Sequence, residues 1–269
     1  MIRPSASSLF VVAAAVAATA VAVVGQRAAA KAPALDTAIP SDAKLVGFEP
    51  RGRAGEVALL EATRPFTLAL GNGPVRGEPA DAKDLAMGRA IVSRELARYP
   101  SSFPPRVHLA GVVVASELVE GEKPIPSLPN VGGLLLLDVH AAESDLVRAI
   151  HHEVFHFADL ADDGQLAPDP TWEALNARGF VYGGGGRSLR SAWAAKPSSD
   201  LPGFVSGYAT SGVEEDKADT FAFLVARRES IEPRLGGDPV LAAKAREIVR
   251  RVADIDDAAP RALQISWVR

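Results

Sequence analysis

The stretch His151-His152-Glu153-Val154-Phe155-His156-Phe157 limits what this chain can fold into more than any other part of it. Residues four apart on an α-helix lie about 40° apart around the axis. His152 and His156 would therefore present both imidazoles to one side, where they can share a metal ion. Glu153, beside the first imidazole, falls near an open coordination position. A carboxylate there can take a proton from water that the metal has acidified. The competing reading is a helix whose histidines are four apart without purpose. Three of the chain's five histidines fall between residues 151 and 156, with only His108 and His140 elsewhere, which weighs against that reading. A third ligand decides between the two.

The surrounding pattern supports a helix. Ser144 reads as its N-cap and Asp145 as a first-turn acid, with Leu146, Val147, Ile150, Val154 and Phe157 at helical spacing. The Asp162-Asp163-Gly164 turn predicts an end near Ala161. Asp159, Asp162 and Asp163 lack calcium-loop spacing and read as a solvated acidic turn. His151 reads as a neighbour of the site, and His108 as structural.

Upstream, Glu56 to Leu70 predicts two short strands split by Arg64-Pro65, and Ala80 to Tyr99 a helix stopped by Pro100. Val107 to Ala115 predicts a buried strand, Gly121 to Asn130 a proline-containing loop, and Gly132 to Val139 a second strand. Gly132 and Gly133 make that second strand the expected edge for aligning an extended peptide. Downstream, residues 165–213 are rich in Pro, Gly and Ser but carry Trp172, Tyr182, Trp193 and Tyr208, a composition expected of cleft walls. Val213 to Ala226 and Val240 to Ile255 predict two further helices. This order predicts an α+β fold with a small mixed sheet, a metal-binding helix and a mainly helical C-terminal half. The domain is expected over 56–269, after an irregular lead-in at 31–55 that holds Pro33, Pro40, Pro50 and three glycines.

Composition narrows the chemistry. The chain has no cysteine, so any metal must be held by His, Asp or Glu. Formal charge is −4, and no basic run exceeds a pair, which argues against a nucleic-acid partner. Residues 1–30 combine Arg3, the uncharged run Leu9 to Val24 and small residues up to Ala30. That pattern predicts either a cleaved export signal or an uncleaved N-terminal membrane anchor. Both readings export the rest of the chain, to a secreted, periplasmic or cell-surface location. Membrane contact is expected only through that segment.

The third ligand is sought in the acids of the Val213 to Ala226 helix. Glu214 and Asp216 are accounted for as solvated first-turn acids stabilised by the helix dipole. Glu215 and Asp219 lie four apart on the face that carries Ala218 and Ala222, where small residues let another helix approach. One of these acids can reach the metal while the other orients a histidine from behind. Glu214 and Asp219 remain open as ligands beside Glu215.

His152-Glu153-Val154-Phe155-His156, followed by Tyr208-Ala209-x5-Glu215-Asp216-x-Ala218-Asp219-x-Phe221, resembles the zinc metallopeptidases related to the anthrax lethal factor protease domain, within the gluzincins. The likeness covers roughly residues 80–230 and includes the segment Trp172 to Tyr182. It implies a zincin-like fold, Zn2+ as cofactor, a peptide or protein substrate and endopeptidase activity. It also implies Glu215 as third zinc ligand, Glu153 as general base and Tyr208 as a hydrogen-bond donor to the transition state. Asp219 departs from the family, which usually has Glu there, so its role behind a histidine is the weaker part of the likeness. Two other classes stay open. One is a non-catalytic zinc-binding module that keeps the site, although metal binding alone requires neither Glu153 nor Tyr208. The other is a membrane-tethered structural protein that binds no stoichiometric metal.

Overall fold

The computed structural model describes residues 47–70, 73–186 and 201–268, and the segment expected to direct export lies outside them. Within the described residues the fold is α+β. Eight strands run in the first half: β1 (Phe48–Ala54), β2 (Val57–Ala62), β3 (Phe66–Leu70), β4 (Gly73–Glu78), β5 (Gly111–Glu120), β6 (Lys123–Pro124), β7 (Ser127–Val131) and β8 (Leu134–Asp138). Helices α1 (Ala82–Leu96) and α2 (Phe103–Arg106) interrupt them. After β8 the longer described elements are helices: α3 (Glu143–Asp163), α4 (Pro170–Glu173), α5 (Val213–Ala226), α6 (Arg228–Leu235), α7 (Pro239–Ile255) and α8 (Ala259–Ala262).

The long strand β5 organises the sheet. Its first half pairs in parallel with β2 and β8, and its second half pairs antiparallel with β4 and β6. The sheet therefore curls around β5, carrying the β3–β4 hairpin on one part and β1–β2 and β7–β8 on the other. Burial on both faces explains why β5 and β8 read as continuous apolar runs rather than alternating ones. Val57, Leu59, Val112, Leu135 and Leu137 join the core shared with the helices, and the intervening Ala58, Leu60, Val113, Leu134 and Leu136 join a second core on the opposite face. This is the two-residue period of a strand sorting side chains between two layers.

Several expectations change here. Residues 48–54, expected to be irregular lead-in, form strand β1 on β2. Pro50 and Gly52 flank a bulge in that pairing, which accommodates the residues that suggested disorder. The strand expected at Val107 to Ala115 begins instead at Gly111, because His108 turns the backbone through φ 60°. The expected proline loop at 121–130 contains β6 and all but the last residue of β7.

The strand after Gly133 is not an edge. β8 lies between β5 and β7, so next to α3 it is β7, not β8, whose far side has no ladder partner among the described residues. Gly132 and Gly133 instead make the tight turn between them, with φ 61° and 88°, a conformation costly for residues that carry a Cβ.

Helix α3 packs across β7 and β8 and makes its broadest helical contact with α5. It starts two residues earlier than predicted, with Ala142 as N-cap in place of Ser144, and Glu143 and Asp145 favour its positive N-terminal end. It runs two residues beyond Ala161 and is closed by Gly164 at φ 82°. Leu146, Ile150, Val154, Phe155 and Phe157 enter the common core, which fixes the rotation of the helix and so the direction of its histidines.

Candidate metal centre

The apolar face of α3 turns His152 and His156 toward α5, and their Nε2 atoms face each other at 3.1 Å. Glu215, in the first turn of α5, brings Oε2 to 3.0 Å from His152 Nε2 and 3.5 Å from His156 Nε2. These three are the group of His and acidic side chains among the described residues that could hold a metal ion. Their spacing fits one: tetrahedral zinc with bonds of about 2.0–2.1 Å has donors about 3.3–3.4 Å apart. All three are shielded, with side-chain exposure of 1%, 7% and 12% respectively.

Their orientation is held from behind. Asp219 Oδ1 accepts the Nδ1–H of His152 at 3.1 Å, which leaves Nε2 pointed at the cluster. Asp219 is fully buried and lies 3.8 Å from the Arg148 guanidinium. Asp219 is therefore separated from the cluster by the ring it orients. Glu214 lines the cleft but is outside the three-donor group. His151 points away: its Nε2 bonds Glu95 at 3.1 Å, and the Tyr99 hydroxyl bonds its Nδ1 at 2.7 Å.

Glu153 and Tyr208 flank the cluster. Ser127 on β7 donates to Glu153 Oε1 at 2.5 Å, while the other oxygen, Oε2, is buried with no hydrogen-bond partner among the described residues. Tyr208 opens a short 3-10 turn, Tyr208–Thr210, just before α5, and its hydroxyl hydrogen-bonds Glu215. Burial, then the neighbouring carboxylates of Glu215 and Glu153, push the phenol well above the ordinary tyrosine value and keep it protonated.

Comparison with protein-family models, curated proteins and solved structures finds no match to this chain. The site is therefore read from its own geometry.

A cleft of about 590 Å³ opens over these groups. One wall is Pro124 to Pro129, and the others include Leu166, Gly184 to Gly186, Tyr208 and Glu214. The glycine run thus lies in the expected stretch of cleft wall, whereas Trp193 falls outside the described residues. Gly186 has no room for a side chain: a Cβ there would stand 1.9 Å from Glu215 Oε1 and 2.5 Å from the Tyr208 hydroxyl.

Beneath the site, acids expected to be solvated are buried. Asp216 Oδ2 accepts from Trp172 Nε1 at 2.8 Å, Tyr182 Oη at 2.5 Å and Lys244 Nζ at 2.6 Å, with no exposure. Asp159 is also buried, and Lys217 bonds it at 2.8 Å, joining α5 to α3 one turn after His156. Successive residues of α5 therefore serve different partners: Glu215 the cluster, Asp216 the scaffold and Lys217 the facing helix. Helical rotation of about 100° per residue produces that division.

Lys244→Met is expected to destabilise the fold by about 3–5 kcal/mol, because it strands a buried carboxylate beside two neutral donors. Urea unfolding checks this. An unchanged midpoint would mean that Trp172 and Tyr182 suffice to hold Asp216.

Proposed function

We propose that this cleft hydrolyses peptide bonds with a zinc ion, in a domain of zincin type. The observation that carries this reading is one cleft in which a three-donor metal group, an uncommitted carboxylate oxygen of Glu153 and a protonated Tyr208 hydroxyl lie beside a strand, β7, that has a ladder partner on one side only. His152, His156 and Glu215 would hold the ion. Zinc, when bound there, supplies a Lewis acid that polarises the scissile carbonyl and brings the pKa of water to about 7.

The side chains then divide the remaining work. Glu153 takes the proton of the attacking water on Oε2, since Oε1 is engaged by Ser127. It returns that proton to the amine nitrogen as the C–N bond breaks. Tyr208 donates a hydrogen bond to the oxygen that gains negative charge as the carbonyl becomes tetrahedral. The free side of β7 aligns the substrate backbone.

Ser127→Ala leaves Glu153 free to rotate away from the attacking water. It is expected to lower kcat about tenfold with zinc content unchanged. Steady-state kinetics with metal analysis decides, and an unaltered kcat would remove Ser127 from the mechanism.

The charged start and apolar run of residues 1–30 support the reading that this hydrolysis belongs to an exported chain. Among the described residues no helix is long and apolar enough to cross a membrane. Zinc analysis together with cleavage of a mixed peptide library tests the function. The expected result is one zinc per chain and cleavage that a chelator abolishes and zinc restores. Stoichiometric zinc without cleavage of any peptide would instead favour a non-catalytic zinc-binding module.

A further inference from the structure

A buried hydrogen-bond chain connects the turn that carries Tyr208 to the ring of His152, and its central member is a residue that no motif singles out. Ser206 has no exposed surface. Its hydroxyl donates to Asp219 Oδ2, and the same oxygen accepts the Ala209 N–H at 3.1 Å. Asp219 uses its other oxygen, Oδ1, to accept the Nδ1–H of His152 at 3.1 Å. A hydroxyl has one proton and two lone pairs, so Ser206 can serve a carboxylate and an amide at once, whereas alanine can serve neither.

We propose that Ser206 is a positioning residue that couples the metal-facing ring of His152 to Tyr208, so that fixing one fixes the other. Two faults follow from losing its hydroxyl, and they travel in opposite directions. Asp219 loses the donor that holds its carboxylate plane and is drawn toward Arg148, tilting the His152 ring. The buried Ala209 N–H loses its acceptor, and the turn must move to find another, carrying Tyr208 with it. Asp219 alone would orient only the histidine; the shared hydroxyl joins both events. The part concerning Tyr208 rests on the peptidase reading, whereas the link between metal and turn does not.

The test compares wild type, Ser206→Ala, Ser206→Thr, Tyr208→Phe and the double variant Ser206→Ala/Tyr208→Phe. Zinc affinity is measured by competition with a chromophoric chelator. Hydrogen exchange of residues 206–211 is followed with and without zinc, and kcat and KM are measured on a peptide that the wild type cleaves. Ser206→Ala is expected to weaken zinc binding about tenfold and to lower kcat about tenfold with KM little changed. Ser206→Thr restores most of both. In the Tyr208→Phe background the serine change should cost little further kcat yet keep its full effect on zinc affinity. Zinc should slow exchange at 206–211 in the wild type and not in Ser206→Ala.

A Ser206→Ala protein that loses only thermal stability, with zinc affinity and exchange as in the wild type, overturns the proposal. So do kcat losses that multiply in the double variant. If Ser206→Ala does not fold, wild-type exchange at 206–211 that is indifferent to zinc overturns it instead. Failure of the zinc-loaded wild type to cleave any peptide would sink the peptidase reading alone, and the affinity and exchange measurements would still decide the coupling.

Discussion

Glu153→Gln is expected to lower kcat/KM for peptide cleavage about a thousandfold while one zinc stays bound per chain. Glutamine has nearly the same shape, and its carbonyl oxygen can still accept the Ser127 hydroxyl at the position of Oε1. The packing of this largely buried side chain, 5% exposed, is therefore kept. What is lost is the oxygen with no partner among the described residues, replaced by an NH2 that cannot take a proton from water. Metal binding is spared because the three donors are His152, His156 and Glu215, none of which touches the substituted atom. Metal analysis and kinetics on the same preparation separate the outcomes. Full activity with zinc retained would mean that Glu153 is not the base. Loss of zinc would mean that it acts as a ligand.

How much of this was legible in the sequence depended on whether a signal was local. The α3 histidines announce themselves because a four-residue spacing on an amphipathic helix is a local pattern, and the α5 bounds follow from acids before an apolar run. The interior of the fold was read less well. Asp159 and Asp216 look solvated in sequence because acids usually are. Only the folded chain brings Lys217 and Lys244 from distant positions to neutralise them. The edge is hard to place from sequence because the glycines before Leu134 suggest close backbone approach, yet the approach they permit is a turn. The true edge was hidden by Pro126 and Pro129, whose loop-like composition is compatible with a strand that has a neighbour on one side only. Ser127 and Ser206 carry no signal at all, since a serine becomes informative only when its hydroxyl is seen bonded to Glu153 or Asp219.

Zinc affinity is expected to tighten about tenfold for each unit of pH between about 6.5 and 8.5, with release of one proton on binding. In the metal-free protein, burial disfavours the His152 cation, but hydrogen bonds to Asp219 and Glu215 outweigh burial and push its pKa up to about 10. Burial likewise disfavours the Glu215 anion, yet hydrogen bonds from His152 and His156 hold its carboxyl below the usual range. Without metal these shifts favour an imidazolium beside a carboxylate, so metal binding would displace the imidazolium proton. The same protonation sets the stability of the metal-free fold. An unfolded histidine titrates at about 6.5, so the His152 contribution is complete below about pH 6.5 and is lost as pH rises through about 10. The Glu215 contribution is complete above about pH 4.3 and is lost as pH falls through its depressed folded value. Metal-free stability should accordingly peak between about pH 4.3 and 6.5, and the rise in melting temperature produced by saturating zinc should grow above that window. Chelator competition across pH 6.5–8.5, corrected for protonation of the chelator, measures the slope; a flat profile would mean that His152 is already neutral in the metal-free protein. Asp219→Asn supplies the decisive contrast. Removing that charge lowers the His152 pKa, so the slope should flatten at the upper end of the range, and the relief of proton competition should be larger at pH 6.5 than at pH 8.5. A slope as steep as in the wild type would assign the released proton to a group other than His152.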